Sequence, residues 1–466
     1  MTSYDLTQGS LIEHIKRIAI PASIGYLFNT LYNVVDTFYA GKLSTDALAG
    51  MTISFPIFFI VIALSSGLGS GATALNSIAL GQKREDTFHQ FSKNAILLGL
   101  IFSVVIVFVA PILTPFLFRM SGASGNAMAL GVDYTQTIFY GVFFFIMNAI
   151  LNGFLNAQGD TKTYRNFLIF GFFLNLILDP LFIYGWFGLP KLDTVGVALA
   201  TVIVQGIGTV YMIYKVLKSP VFKKYDFIHA KLSLQTSMEI LKQGLPASLN
   251  MATIAIGVFI INYFILFFAD ASTIAGYGAA VRIEQLALLP ALGLNIAVLT
   301  ITGQSYGAKD KERIWSIYKL TLKIGVSIML IGAAIIFPLA PYLIKLFNND
   351  PSVVDAGTVY LRIEVFAFVT YIFLNTGISS MQGIKKPNFA VFIGLYRQIV
   401  LPIILFYLLG TVFDFGIKGV WYGIVIINWS AVFITVLYHK NLMTKLLFED
   451  KTEKISEKKE KSSIRN

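Results

Sequence analysis

Leu31-Tyr32-Asn33-Val34-Val35-Asp36-Thr37-Phe38-Tyr39-Ala40 lies in a long apolar stretch that follows Ile20-Pro21. The stretch reads as a membrane-spanning helix, and Asp36 is the residue that does not suit it. Phe172-Phe173-Leu174-Asn175-Leu176-Ile177-Leu178-Asp179-Pro180 repeats the anomaly with Asp179. A carboxylate at membrane depth costs at least about 2.5 kcal/mol even on the lenient insertion scale. Such a residue faces an aqueous cavity or a partner, and is read first as a proton or ion site.

The composition around these two stretches fixes the class. The chain has 466 residues, of which 56% are hydrophobic and only 13% charged, and its mean hydropathy is +0.72. A soluble domain could not cover itself with so few charges. Apolar runs of about 20 residues recur along the whole length, enough to cross a hydrocarbon core about 30 Å thick. Transmembrane β-barrel strands would alternate over about ten residues, and these runs do not. The absence of cysteine rules out disulfides and thiolate chemistry. The four histidines, His14, His89, His229 and His439, are expected in loops or at helix ends. The first apolar stretch is too long for a cleaved signal peptide and has no small-residue cleavage site.

Twelve helices are predicted, at 15–40, 47–80, 93–118, 130–157, 163–187, 194–218, 240–268, 273–305, 314–347, 357–382, 388–411 and 417–440. Lys and Arg are retained on the cytoplasmic side. With the N-terminus inside, cytoplasmic segments hold 29 basic residues and external loops 6, and Arg282, inside the eighth span, makes the total of 36. Both termini are therefore expected in the cytoplasm, in a multi-pass protein of the cell (inner) membrane. The net charge of +11 then follows from topology and does not point to nucleic acid. Residues 441–466, rich in Lys and Glu, read as a disordered tail.

The chain also repeats itself at an offset near 224. Ile20-Pro21-Ala22-Ser23 returns as Leu245-Pro246-Ala247-Ser248, and Gln82-Lys83-Arg84 as Ala308-Lys309-Asp310. Gln158-Gly159-Asp160-Thr161-Lys162 returns as Gln382-Gly383-Ile384-Lys385-Lys386. An even number of spans per copy gives both copies the same orientation, a parallel repeat about the membrane normal. The predicted fold is therefore an all-α polytopic membrane protein of two pseudo-symmetric six-helix bundles, the architecture of a transporter. The lobes are placed at 1–214 and 240–440, with a basic linker at 215–239. Asp36 and Asp179 map near Ile261 and Leu401, so the N-terminal lobe alone is expected to carry ion chemistry.

Polar residues gather around the two acids. Asn29, Tyr32, Asn33 and Asp36 are spaced i, i+3, i+4 and i+7, one helical face. Asn175 and Asp179 are i, i+4, Asn148, Asn152 and Asn156 recur every fourth residue on the fourth span with Tyr134 several turns earlier, and the sixth span offers Thr201. These faces would build a hydrated pocket around two carboxyl groups, although a single Asn more often only glues helices together. Pro21 either bends the first helix or begins it. Gly67-Leu68-Gly69-Ser70-Gly71-Ala72 lies mid-helix with no strand before it, so close helix packing explains it better than a nucleotide loop. Arg282 with Glu284, and Arg362 with Glu364, are the second-half candidates for a part in transport, the other reading being mutual ion pairs near a membrane boundary.

Asn33-Val34-Val35-Asp36-Thr37-Phe38-Tyr39-Ala40-Gly41, Gly153-Phe154-Leu155-Asn156-Ala157-Gln158-Gly159-Asp160-Thr161 and Asn175-Leu176-Ile177-Leu178-Asp179-Pro180 together resemble multidrug and toxic compound extrusion (MATE) antiporters, closest to the DinF-like branch. The resemblance spans almost the whole chain. It implies a twelve-helix, two-lobe carrier that expels amphipathic, often cationic compounds in exchange for H⁺ or Na⁺. It further implies that Asp36, Asn175, Asp179 and Thr201 form an N-lobe cation site able to take a proton or Na⁺. Tyr32, Tyr134 and Asn152 would lie nearby, and bending at Pro21 would accompany protonation. NorM-like members carry an acid in the seventh helix, whereas 240–268 has none, which favours protons.

The expected function is secondary multidrug efflux by alternating access, by a monomer that needs the bilayer and no cofactor. No Gly-x-x-x-x-Gly-Lys-Ser/Thr motif is present for ATP. A lipid-linked glycan flippase is the alternative, but it calls for several cavity cations, and Arg282 is the one mid-span candidate. An intramembrane enzyme would need a nucleophile with its base, or a metal cluster, and the spans offer neither.

Overall fold

A computed structural model describes residues 5–463, with side chains described for 5–446. The tail read as disordered therefore falls largely outside the described side chains, and its last three residues fall outside altogether. The first half runs α1 (Leu11–Leu43), α2 (Thr45–Gly81), α3 (Glu85–Met120), α4 (Gly125–Tyr140), α5 (Val142–Ala157), α6 (Lys162–Tyr184) and α7 (Asp193–Leu217). A short α8 (Lys224–His229) leads to α9 (Leu234–Phe268), α10 (Ala271–Gly307) and α11 (Lys311–Lys345). The chain then continues through α12 (Pro351–Glu364), α13 (Phe368–Gly383), α14 (Asn388–Leu395), α15 (Leu401–Tyr407) and α16 (Ile417–Ser463). Among the described residues eleven stretches are long and apolar enough to span, Pro351–Gly383 and Asn388–Val412 each counting as one. The pair α4 and α5, bent by 49°, makes the twelfth. No strand occurs among the described residues.

Helix starts are set by side chains that accept the otherwise unpaired N–H groups. Ser44 caps α2 through Ala47, Asp270 caps α10 through Thr273, and Asp310 caps α11 through Arg313. Several helices begin earlier than the apolar run, at Leu11, Glu85 and Leu234, because their first turns are polar and lie beyond the lipid-facing stretch. The single helix expected at 130–157 is broken instead. At the break a Cβ on residue 141 would strike the Val202 side chain of α7, so glycine is needed for this close approach. The helix does continue through Pro21, which is buried in α1 and does not begin it.

The repeat is visible in the backbone. Lys83 after α2 and Lys309 after α10 both take left-handed φ, 58° and 59°. Gly159 after α5 and Lys385 after α13 do the same at 75° and 60°. Each half also has its own apolar core. Phe88, Phe118 and Phe154 centre the first, and Phe368, Phe406 and Trp421 the second. Outside them Phe108, Ile112 and Phe259 stand exposed, a surface suited to hydrocarbon and not to water.

The halves meet along a seam of small residues at the end of the bundle that carries both termini. Gly67 and Gly71 of α2 lie on Gly244 of α9, Gly303 of α10 on Ser77, and Gly81 on the backbone of Gln304. Gly293 of α10 lies against Ala19 and Ser23 of α1. At each of these positions a Cβ would collide with the opposite backbone or a short side chain, which accounts for the glycine cluster at 67–71 as packing.

Candidate functional site

Four residues expected to form the N-lobe site come together in buried pairs. Asp36 on α1 accepts a hydrogen bond from Thr201 Oγ1 on α7 at 3.2 Å. On α6, Asn175 Nδ2 donates to Asp179 Oδ1 at 3.0 Å. Asp179 and Asn175 are fully buried, Asp36 and Thr201 nearly so. The two carboxyl groups, on neighbouring helices, lie close enough to interact with one another. Asp36 Oδ1, Asp179 Oδ2 and the Tyr32 hydroxyl are buried with no hydrogen-bond partner. Unsatisfied buried oxygens are costly, and here three of them lie close enough to act on one another. Among the described residues no Lys, Arg or His forms an ion pair with either aspartate, and no group of three metal-ligating side chains exists.

Local backbone explains part of this arrangement. Pro180 inside α6 cannot donate to the carbonyl of Leu176, and Tyr39 Oη of α1 donates to that carbonyl instead, at 3.4 Å. The helix bearing Asp179 is thereby tied to the helix bearing Asp36. Half-buried Tyr134 on α4 lies close enough to both carboxylates for their charges to act on it. Near Pro21, the Ile18 carbonyl accepts from Thr161 Oγ1 at 2.8 Å, which fastens that part of α1 to the turn before α6.

Other expected residues lie elsewhere. Asn29 and Asn33 are exposed, and Asn33 donates to the Asn29 carbonyl at 3.0 Å. They share a helical face with Asp36 in register but stay outside the buried cluster. Asn148 bonds Gln205 of α7 and so acts as helix glue. Asn152 and Asn156 line a small cleft with Tyr26 and Arg165, nearer the terminus-bearing end of α1 than Asp36 is.

The second lobe corrects the sequence reading. Glu284 on α10 does not pair with Arg282, nor Glu364 with Arg362. Arg282 lies over the Phe347 ring, and Arg362 over Phe337 with Nε on the Phe337 carbonyl. The two glutamates instead face inward, both buried. Glu284 accepts from Tyr360 Oη at 3.1 Å and Glu364 from Tyr371 Oη at 3.0 Å. Arg397, one of the 29 basic residues expected on the cytoplasmic side, lies inside the span Asn388–Val412. Its guanidinium sits 5.7 Å from the Tyr371 ring, donates to Asn428 Oδ1 at 3.3 Å and acts electrostatically on both glutamates. Tyr277 stacks on Trp421 beside Tyr360. Ion chemistry is thus not confined by residue type to the N-terminal lobe.

The backbone is irregular around this cluster. Glu364 precedes a tight 3₁₀ turn at Val365–Ala367, and Arg397 lies in a π-helical turn, Tyr396–Val400. Such turns recur where side chains must be re-aimed. The signal was present in the sequence, since Tyr360, Glu364 and Tyr371 are spaced i, i+4 and i+11 on one face. His439 is not at a helix end either. It is buried in α16, stacked on Tyr318 at 3.8 Å and bonded to Ser380.

The family model for MatE matches the chain twice, over residues 21–181 and 246–408. Among curated relatives, the probable multidrug resistance protein NorM of Thermotoga maritima is 24% identical over 89% of this chain and 89% of its own. The multidrug export protein MepA of Staphylococcus saprophyticus is 24% identical over 91% and 92% respectively. A multidrug resistance MATE family transporter of the MOP superfamily, solved in an outward-facing conformation, superposes with a TM-score of 0.89. It is 27% identical, and the match covers 96% of this chain and 99% of that one.

Proposed function

The chain belongs to the MatE family, and we propose that it is a secondary antiporter exporting amphipathic, cationic compounds in exchange for H⁺ or Na⁺. The observation that carries the reading is the N-lobe pair, two buried carboxyl groups with unsatisfied oxygens and no cationic side chain. Two carboxylates withdrawn from water persist together only when a proton or cation joins them. Asp36 and Asp179 hold that ion, Thr201 and Asn175 orient them, and Tyr32 and Tyr134 border the site. The multidrug names of the relatives support a drug-like cargo. They do not favour the flippase alternative, and Arg397 alone among the C-lobe cluster would greet a pyrophosphate.

The terminus-bearing end is cytoplasmic in this reading, because the loops there hold most of the Lys and Arg. The glycine seam closes that end, in keeping with likeness to an outward-facing relative. Ion binding at Asp36 and Asp179 changes how α1 packs on α6, and cargo leaves outward. When the seam parts, the same cavity faces inward. The test is efflux of a fluorescent cation from proteoliposomes under proton and sodium gradients imposed separately. Asp36→Asn and Asp179→Asn are expected to reduce gradient-driven efflux to background. Wild-type rates in either variant would overturn the proposal.

A further inference from the structure

Each half of the chain opens with a segment that crosses to the other half. Before α9, the linker is held by α3. Lys223 N donates to His89 Nε2 at 3.0 Å, Lys93 Nζ reaches the carbonyls of Ile228 and Ala230, and Asn94 bonds both Lys231 O and Ser233 N. Before α1, residues 5–9 are held by α10 and α11. Arg313 donates through Nε and Nη2 to Leu6 O at 3.0 and 2.8 Å, and reaches Gln8 O and Gly9 O as well. His89 and Arg313 both lie in the opening turns of the helix that follows a basic turn, α3 in one half and α11 in the other. A crossing segment is therefore gripped at a similar place in each half.

The segment before α1 does more than the linker, because it enters the seam. Leu6 is completely buried, and its side chain lies against Gly159. Its N–H donates to Gln304 Oε1 at 2.8 Å, while Gln304 Nε2 donates to the Ala157 carbonyl at the end of α5, also at 2.8 Å. One buried amide thus joins the leading segment, α5 of the first lobe and α10 of the second. Opening the lobes here breaks these bonds together, and buried polar groups left without partners are what make such a break expensive.

We propose that residues 5–9 are a latch on the cytoplasmic gate, with Gln304 and Arg313 as positioning residues that hold it shut while the cavity faces outward. The latch rests on the transport reading above for its purpose, but its geometry can be tested separately. The chain lacks cysteine, so a single Ser77→Cys, buried against Gly303 in the seam, reports opening by its rate of maleimide labelling. A second reporter, Thr135→Cys, buried within the first lobe beside Ser54, controls for general loosening.

Arg313→Ala, Gln304→Ala and deletion of residues 2–9 are each expected to raise labelling at the seam about tenfold, the scale of one buried or charge-assisted hydrogen bond lost. Labelling of the control should not change, and Arg313→Lys should fall between wild type and Arg313→Ala. Unchanged seam labelling in all three variants, or an equal rise at both reporters, overturns the latch. If the variants label faster while ion gradients leave wild-type labelling unaltered and drive no efflux, the transport reading fails and the latch stands.

Discussion

Both lobes bury a pair of carboxyl groups, but they support them differently. In the first, Asp36 and Asp179 meet only neutral partners, Thr201 and Asn175. In the second, Glu284 and Glu364 each accept a tyrosine hydroxyl and share the field of Arg397. A buried acid supplied with a resident cation is answered from within, whereas one left with neutral neighbours waits for an ion from outside. Under the proposed function the contrast favours the first lobe as the place where an external ion binds, while in the second lobe two carboxyl groups share one arginine.

The sharpest way to break that contrast is to remove the resident cation. Arg397→Met should destabilise the protein by about 3–5 kcal/mol, the usual cost of stranding a buried charge, read as a large drop in thermal midpoint in detergent. Adding Glu364→Gln should recover much of the loss. If Arg397→Met melts like wild type, the second lobe is not internally balanced and the distinction collapses. A smaller effect is expected in the first lobe. Thr201→Ala removes one hydrogen bond from Asp36 and should cost about 1 kcal/mol, seen as a roughly fivefold shift in the ion concentration that half-saturates efflux. Smallest of all, Asn29→Ala should leave efflux within about twofold, because an exposed side chain far from packing or a site rarely matters more than a few tenths of a kcal/mol. A larger loss would place Asn29 on the substrate path.

Much of this was legible in the sequence, for identifiable reasons. Span length and apolarity are set by bilayer thickness, so the number of spans follows from the chain itself. Asp36 and Asp179 stand out because a lone acid in an apolar run has few innocent explanations. Arg397 was hidden by the same logic, since a tally of cytoplasmic charges absorbs a cation ten residues inside the span. Glu284 and Glu364 were hidden by their neighbours, because an arginine two residues away suggests a pair, although residues at i, i+2 point to different sides of a helix. The close approach of Gly141, at the bend between α4 and α5, to Val202 is a contact between spans that no local pattern records.

The glycine seam has a thermodynamic consequence. Where Gly67, Gly71 and Gly244 meet, or Gly303 meets Ser77, contact is made largely by main chain that is already ordered inside helices. Long side chains at an interface surrender up to about 2 kcal/mol each in rotamer freedom when they lock together, and these glycine contacts have none to lock. The ordering cost of closing the seam is therefore concentrated in the few long side chains beside it, Gln304 and Arg313 foremost.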